Sequence, residues 1–313
     1  MTDDSRIYVT PSHLRSVQAR AHGLSFLPRS SANSVLSGRH ATRMRGRGLD
    51  FEEMRNYLPG DDIRSIDWKA TARTRTPYVR VFTEERDRPA AIIVDQRMSM
   101  FFGTRLNLKS VTAAEAAAMT AFQVFGAGDR VGGIVFDDER EVELAPRRSM
   151  KTVDALLNSI SEFNRGLHAD RNVEPAPARL NEILHRVARL AYHDHLVVII
   201  SDFSGIDETT HRRLSGLAAH NDLILMLVYD PSAEELAGEH RIVIGDGQRQ
   251  AELDMGAPET RQALTRFSKE RLERIRQWQT EINLSVLSLS AGEETLPQIR
   301  RQMGRLTPRR RLR

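Results

Sequence analysis

The stretch PAAIIVDQRMSM, residues 89–100, sets the reading of this chain. Ala90 to Val94 is an unbroken apolar run, too short for a helix and without polar alternation. It therefore reads as a strand covered on both faces. Asp95 closes it, and a short polar turn follows. The same figure recurs downstream. Leu196 to Ser201 is a second buried strand, closed by Asp202, and Leu223 to Tyr229 is a third. Helical patterns separate them: Ala113 to Phe125, Met150 to Glu162, Ala178 to Tyr192, Glu208 to Ala219 and Glu259 to Thr280. Thr112 and Glu115 form a capping box for the first of these, unless it starts nearer Asn107. Val131 to Phe136 is a strand that pairs with Arg140 to Leu144, Leu284 to Leu289 is the last strand, and Arg241 to Asp254 is a small hairpin insertion. Alternating strands and helices predict an α/β fold with a doubly wound, mainly parallel sheet. Such sheets bind ligands beyond the carboxyl ends of their strands, where the strand order reverses. Asp95 and Asp202 belong there.

Before Pro89 the pattern is different. Leu14, Val17, Ala21 and Leu24 have helical spacing, a Ser-, Gly- and Arg-rich loop follows, and Tyr78 to Thr83 reads as a strand. Three regions are expected: an N-terminal extension over residues 1–88, the α/β domain over 89–292 and a basic C-terminal tail over 293–313. With no cysteine, the chain has no disulfide, thiolate metal site or cysteine nucleophile. No apolar run approaches the roughly 18 residues of a membrane span, and the N-terminus lacks the apolar core of a signal peptide. A cytoplasmic protein is expected. The net charge is +4, concentrated in Arg39, Arg43, Arg45 and Arg47 and in Arg309, Arg310, Arg311 and Arg313. Such clusters suit nucleic acid or an anionic surface, or are simply solvated.

Two motifs carry a resemblance. VDQRMSM, from Val94, resembles the first metal-site loop of von Willebrand A domains, a D-x-S-x-S pattern. GDDIRSIDWKATART, from Gly60, resembles the signature of the domain-of-unknown-function family 58, in which Gly60, Asp61, Asp62, Arg64, Asp67 and Trp68 precede an A-type domain. FFGTRLNLKS at Phe101, GDRVGGIVFDD at Gly128 and VVIISDFSG at Val197 fit the same family. The match runs from about Gly46 to Asp230. The resemblance implies an A-type fold and, as partners, a MoxR-type AAA+ ATPase and other A-type domain proteins. It also implies a part in maturing or assembling other proteins.

It implies, too, a divalent-ion site, which the residues meet only in part. Asp95, Ser99 and Asp202 stand where ligands are expected. Arg97 replaces the first serine, and a guanidinium has donors only, so it cannot ligate a cation. The segment between Asn164 and Leu180, where a threonine belongs, contains no Thr or Ser. Either Mg²⁺ binds through Asp95, Ser99, Asp202 and water, or Arg97 turns inward and serves as the counter-charge. An outward Arg97 would instead take a partner's acidic group, and Asp95 alone would suit a turn cap. In the Gly60 motif, Asp61 or Asp62 caps a turn, Arg64 pairs with an aspartate and Trp68 packs on the sheet. His193 and His195, if extended, face one side and could share a metal.

These readings converge on a non-enzymatic protein-interaction module that needs no cofactor. Its partner-binding residues would be Asp95, Arg97, Ser99, Asp202 and Ser204. The alternative is nucleic-acid or anionic-surface binding through the arginine clusters.

Overall fold

Residues 4–21, 49–58, 63–84, 89–168, 176–231, 241–245, 250–254, 258–282 and 284–306 are described by a computed structural model. The chain divides into two units, residues 30–87 and the remainder.

The larger unit is built on a six-stranded sheet. In chain order its strands are β3 (Ala90–Asp95), β4 (Val131–Phe136), β5 (Glu141–Arg147), β6 (Leu196–Ser201), β7 (Asp222–Tyr229) and β10 (Ser285–Ser290). Their order across the sheet is β10-β7-β6-β3-β4-β5, parallel throughout except for β5. From β3 the chain moves one way to β4 and β5, then returns across β3 to lay down β6 on its other side. The order therefore reverses between β3 and β6. Gly133 lets β4 lie close to β3, since a Cβ there would fall 1.9 Å from the Ile92 carbonyl oxygen.

Both faces of the sheet are covered, as the missing polar alternation requires. Ile92, Val94, Val198 and Ile200 point into one core layer, and Ile93, Val197 and Ile199 into the other. The first layer is closed by α1 (Pro11–Ala21), α3 (Lys109–Gly126), α4 (Met150–Arg165) and α8 (Thr295–Leu306). The second is closed by α5 (Arg179–Leu190), α6 (Glu208–Ala218) and α7 (Pro258–Ile282). The alanines of α3 are buried along most of its length, so small side chains let the helix sit tight on the sheet. β8 (Arg241–Gly245) and β9 (Gln250–Asp254) form the expected hairpin.

The first core layer also draws on elements outside residues 89–292. Leu14 and Val17 of α1 and Leu296 and Ile299 of α8 lie in the first core layer. Neither the start of the extension nor the body of the tail is peripheral. The capping box at Thr112 is not used either. α3 begins at Lys109 behind Leu108, which makes no side-chain cap.

The smaller unit pairs β1 (Leu49–Asn56) with β2 (Tyr78–Glu84), antiparallel, and carries α2 (Trp68–Thr74). Among the described residues no helix is long and apolar enough to cross a membrane.

Candidate functional site

The site lies at the switch point. β3 ends in Asp95 and β6 runs into Asp202, so the parallel register brings two carboxylates to one end of the sheet. Both are buried. Two buried negative charges cost several kcal/mol each unless compensated, and the surrounding residues supply the compensation.

Arg97 turns back on Asp95. Its Nε donates to both carboxylate oxygens at 3.1 Å, and Nη2 to Oδ2 at 2.8 Å. The Arg97 backbone N–H adds a bond to Oδ1 at 3.0 Å, so the turn and the fork reinforce each other. Nη2 also donates to the Ser204 carbonyl at 3.2 Å and lies 4.0 Å from Asp202 Oδ1. The guanidinium carbon sits 5.8 Å from the centre of the Phe136 ring. The side chain is only 2% exposed. Burial alone would lower the Arg97 pKa, but the charge and hydrogen bonds of Asp95, with help from Asp202, raise it above its ordinary value. The buried Ser201 hydroxyl donates to Asp95 Oδ2 at 2.5 Å, and its oxygen accepts from the Phe203 N–H.

Asp202 is held by groups far away in sequence. Lys109 Nζ donates to Oδ2 at 2.7 Å, and Ser99 Oγ and the Ser204 N–H donate to Oδ1 at 3.3 and 3.0 Å. Arg271, from α7, donates to the Asp202 carbonyl at 2.9 Å and stands 3.8 Å from Oδ2. Burial pushes this carboxyl up, but Lys109, Arg271 and Arg97 together outweigh it and hold Asp202 well below the usual carboxylate range. Asp138 completes the rim. It accepts the Met98 N–H at 2.6 Å, and burial raises its pKa despite the nearby Arg97.

The loop over residues 176–178 closes one side, with the Ala176 carbonyl 3.5 Å from Arg97 Nη1. Gly205 has φ +81°, and a Cβ there would meet Pro177 at 2.6 Å, so only glycine permits this closure. Beneath the site, Gln96 Nε2 donates to the Ser110 carbonyl at 3.0 Å, and Gln96 Oε1 accepts from Asn164 Nδ2 at 3.2 Å. Asn164 Oδ1 in turn accepts the Val9 N–H at 2.8 Å, tying the N-terminal segment to the strand ends.

The structure thus brings Asp95, Arg97, Ser99, Asp202 and Ser204 together. Of these, only Ser99 and Ser204 reach the surface, each partly, while Asp95, Arg97 and Asp202 are sealed below them. An Arg97 extended toward a partner's acidic group does not fit. Nor do these residues fit a divalent cation. Asp95 already accepts from Arg97 and Ser201, and Asp202 from Lys109, Ser99 and the Ser204 N–H. The lone pairs a cation would need meet donors, two of them cationic. Among the described residues no other cluster of His, Asp or Glu is suited to a metal.

Lys109, Arg271, Ser201 and Asp138 were not among the expected site residues. Ser201 and Asp138 stand within the stretches VVIISDFSG and GDRVGGIVFDD, and Lys109 left a trace of another kind. It is a cation in the first turn of a helix, where the dipole disfavours positive charge, a cost that a nearby carboxylate offsets.

Other expectations resolve as follows. Gly60, Asp61 and Asp62 lie outside the described residues, as do Arg39, Arg43, Arg45, Arg47, Arg309, Arg310, Arg311 and Arg313. Asp67 caps α2, accepting from the Lys69 and Ala70 N–H groups at 2.9 and 3.0 Å. Arg64 is exposed in the middle of the short helical turn Ile63–Ser65. Trp68 does not pack on the sheet. As the first residue of α2 it points outward and is 66% exposed. His193 and His195 are not extended neighbours, because Asp194 between them has φ +56°. The resulting turn puts His195 Nδ1 2.7 Å from the His193 carbonyl oxygen.

The profile of the family described as "Protein of unknown function DUF58" matches residues 53–274. The chain belongs to that family. Uncharacterized proteins of Mycobacterium bovis and of two strains of Mycobacterium tuberculosis are each 30% identical to it over 244 residues, covering 76% of this chain and 75% of theirs. Two solved structures are more distant, both 12% identical and covering 69% of this chain and 98% of their own. They are the conserved hypothetical protein BatB from Bacteroides thetaiotaomicron, with a TM-score of 0.40, and an aerotolerance-related membrane protein from Bacteroides fragilis, with 0.37.

Proposed function

We propose that this DUF58 chain is a non-catalytic protein-interaction module of von Willebrand A type, whose metal-adhesion site has become an internal ion pair. One observation carries the reading. The Arg97 guanidinium forks onto Asp95 at the switch point, 4.0 Å from Asp202, where a bridging cation would stand. The carboxylates are buried and paired, so neither is free to act as nucleophile or general base. What remains is a rigid top face, pre-organised without metal, with Ser99 and Ser204 at its rim. The partner is a MoxR-type AAA+ ATPase, and the pair acts in maturing or assembling other proteins. A cytoplasmic setting follows from that pairing, since the ATPase draws on cytoplasmic ATP.

Two measurements test this. In pull-downs with a MoxR-type ATPase from the same source, Ser204→Trp should abolish capture, while Gln279→Trp on α7 leaves it intact, circular dichroism confirming that both fold. Undiminished capture by Ser204→Trp would sink the top-face mechanism. In calorimetric titrations, Mg²⁺ and Mn²⁺ should bind Arg97→Ser and not the natural chain. Binding by the natural chain would remove the counter-charge reading.

A further inference from the structure

Trp68 does not stand outward alone. β1 and the single bridge at Ile66 both pair antiparallel with β2, on its two sides. Just past these pairings the Tyr57 N–H bonds the Pro77 carbonyl and the Asp67 N–H bonds the Tyr78 carbonyl, both at 2.8 Å. The main chains at Leu58 and Trp68 therefore leave the small sheet at the same end, about 10 Å apart, which is two strand spacings. Ile63 is tied to that end through its carbonyl, which accepts the Ile66 N–H at 3.3 Å. Leu58, Ile63 and Trp68 are each more than half exposed. A single exposed apolar side chain needs no explanation, but a group of them rimmed by polar residues marks an interaction surface.

The rim of this group is cationic. Between Ile63 and Thr76 the charged residues are Arg64, Lys69, Arg73 and Arg75, with Asp67 as the one acid. The four cations are exposed. Asp67 is buried, its carboxylate occupied by the N–H groups of Lys69 and Ala70. Thr71 fixes which way α2 faces, because its hydroxyl accepts the Tyr78 N–H of β2 at 3.1 Å. At 3.6 residues per turn, Trp68, Lys69, Ala72 and Arg73 then share the opposite side, and all four are exposed. One indole and two cations thus point the same way from a helix whose start is fixed by a buried cap.

The charge calls for an anionic partner, and the apolar members decide which. Single-stranded nucleic acid stacks its bases on flat rings, and one indole beside two aliphatic chains is a poor platform. An acidic protein takes its anchors into a compact, well-packed centre, whereas these three stand on separate segments. A lipid surface asks for no shape complementarity. An indole settles at headgroup level, aliphatic chains reach the acyl boundary, and lysine and arginine are drawn to anionic headgroups. We infer that this end of the smaller unit docks on an anionic lipid bilayer, with Leu58, Ile63 and Trp68 entering the headgroup layer and Lys69 and Arg73 meeting the lipid phosphates.

Tryptophan emission tests this, because the chain's other tryptophan, Trp278, is only 5% exposed. The full chain is titrated with vesicles of mixed phosphatidylglycerol and phosphatidylcholine, and with vesicles of phosphatidylcholine alone. Emission should move to shorter wavelength with the mixed vesicles and stay unchanged with the neutral ones. High salt should reverse the shift, since exposed charges are screened. Trp68→Phe should lose the shift yet still sediment with the mixed vesicles. In co-sedimentation, Trp68→Ala should weaken binding about tenfold, and Lys69→Gln with Arg73→Gln about 25-fold, roughly fivefold for each charge. Tyr192→Ala, which removes an exposed aromatic of the larger unit, should leave binding as it was. The inference is overturned if mixed vesicles give no shift, if neutral vesicles give the same shift, or if Trp68→Phe keeps it. Binding untouched by the Lys69 and Arg73 changes overturns it too. A shift with a single-stranded oligonucleotide or with polyglutamate, and none with vesicles, would assign the surface to another anion and also overturn it.

Discussion

Asp95 and Asp202 close neighbouring parallel strands, and both are buried, but they are neutralised over very different distances. Asp95 is served by Arg97, two residues on in the same turn, and by Ser201 on the adjoining strand. Asp202 draws its positive charge from Lys109 at the head of α3 and Arg271 on α7, which lie 93 and 69 residues away along the chain. The local pair is a planar fork and depends on geometry. The distant set is a cage of point charges and depends on several helices being docked at once. The two ends should therefore fail differently when disturbed.

The largest effect is expected at Arg97. Removing one partner of a buried ion pair leaves the other uncompensated, at a cost of about 3–5 kcal/mol. Arg97→Ala should lose stability of that order in urea denaturation at neutral pH. Arg97→Lys should recover only part of it, since an ammonium cannot fork onto both oxygens. A loss below about 1 kcal/mol in Arg97→Ala would mean that the fork is not what holds Asp95, and would erase the contrast between the two ends.

A smaller loss, about 1.5–3 kcal/mol, is expected for Lys109→Met, because Arg271, Arg97, Ser99 and the Ser204 N–H still serve Asp202. Its pH dependence separates it from a plain packing defect. The folded-state pKa of Asp202 is depressed, so its stabilisation is fully present above the ordinary carboxylate value near 3.9. That stabilisation drains away as pH falls through the lower folded value. Lys109→Met has less of it to lose. The gap between the natural chain and the variant should be full at neutral pH and close progressively in acid. A gap that stays constant from neutral pH into acid would assign Lys109 to packing alone.

The same difference in distance explains what the sequence could reveal. AIIVD, LVVIIS and LILMLVY announce buried parallel strands by themselves, so the sheet and its aspartates were legible, and Arg97 was legible because its partner is two residues away. That Lys109 and Arg271 serve Asp202 was not, since nothing local says which helix faces which strand end. β1 escaped for a related reason. LDFEEMRN carries three acidic side chains and an arginine and shows no clean alternation, and its strand conformation rests on pairing with β2. Trp68 misled in the opposite direction, since an aromatic in a dense motif suggests core, and here it begins a helix facing outward. α1 and α8 needed the core to be seen whole before a short N-terminal helix and an arginine-rich C-terminal one could be recognised as part of it.

The smallest effect is expected at the third carboxylate, and it sharpens the comparison by its sign. Burial raises the pKa of Asp138, so its ionised form is penalised in the folded state. Stability carried by a raised carboxyl is lost as pH climbs from the unfolded value through the folded one, the reverse of Asp202. Asp138 nevertheless keeps a structural duty, accepting the Met98 N–H at 2.6 Å, and an asparagine oxygen can do the same. Asp138→Asn should therefore change stability at neutral pH by less than about 0.5 kcal/mol, toward stabilisation if either way. Urea denaturation at neutral pH checks the size, and repeating it in acid checks the sign, since any advantage of the variant should vanish once Asp138 of the natural chain is protonated. A marked loss at neutral pH would mean that the Asp138 charge is needed beside Arg97. The counter-charge would then be shared by three carboxylates rather than centred on Asp95.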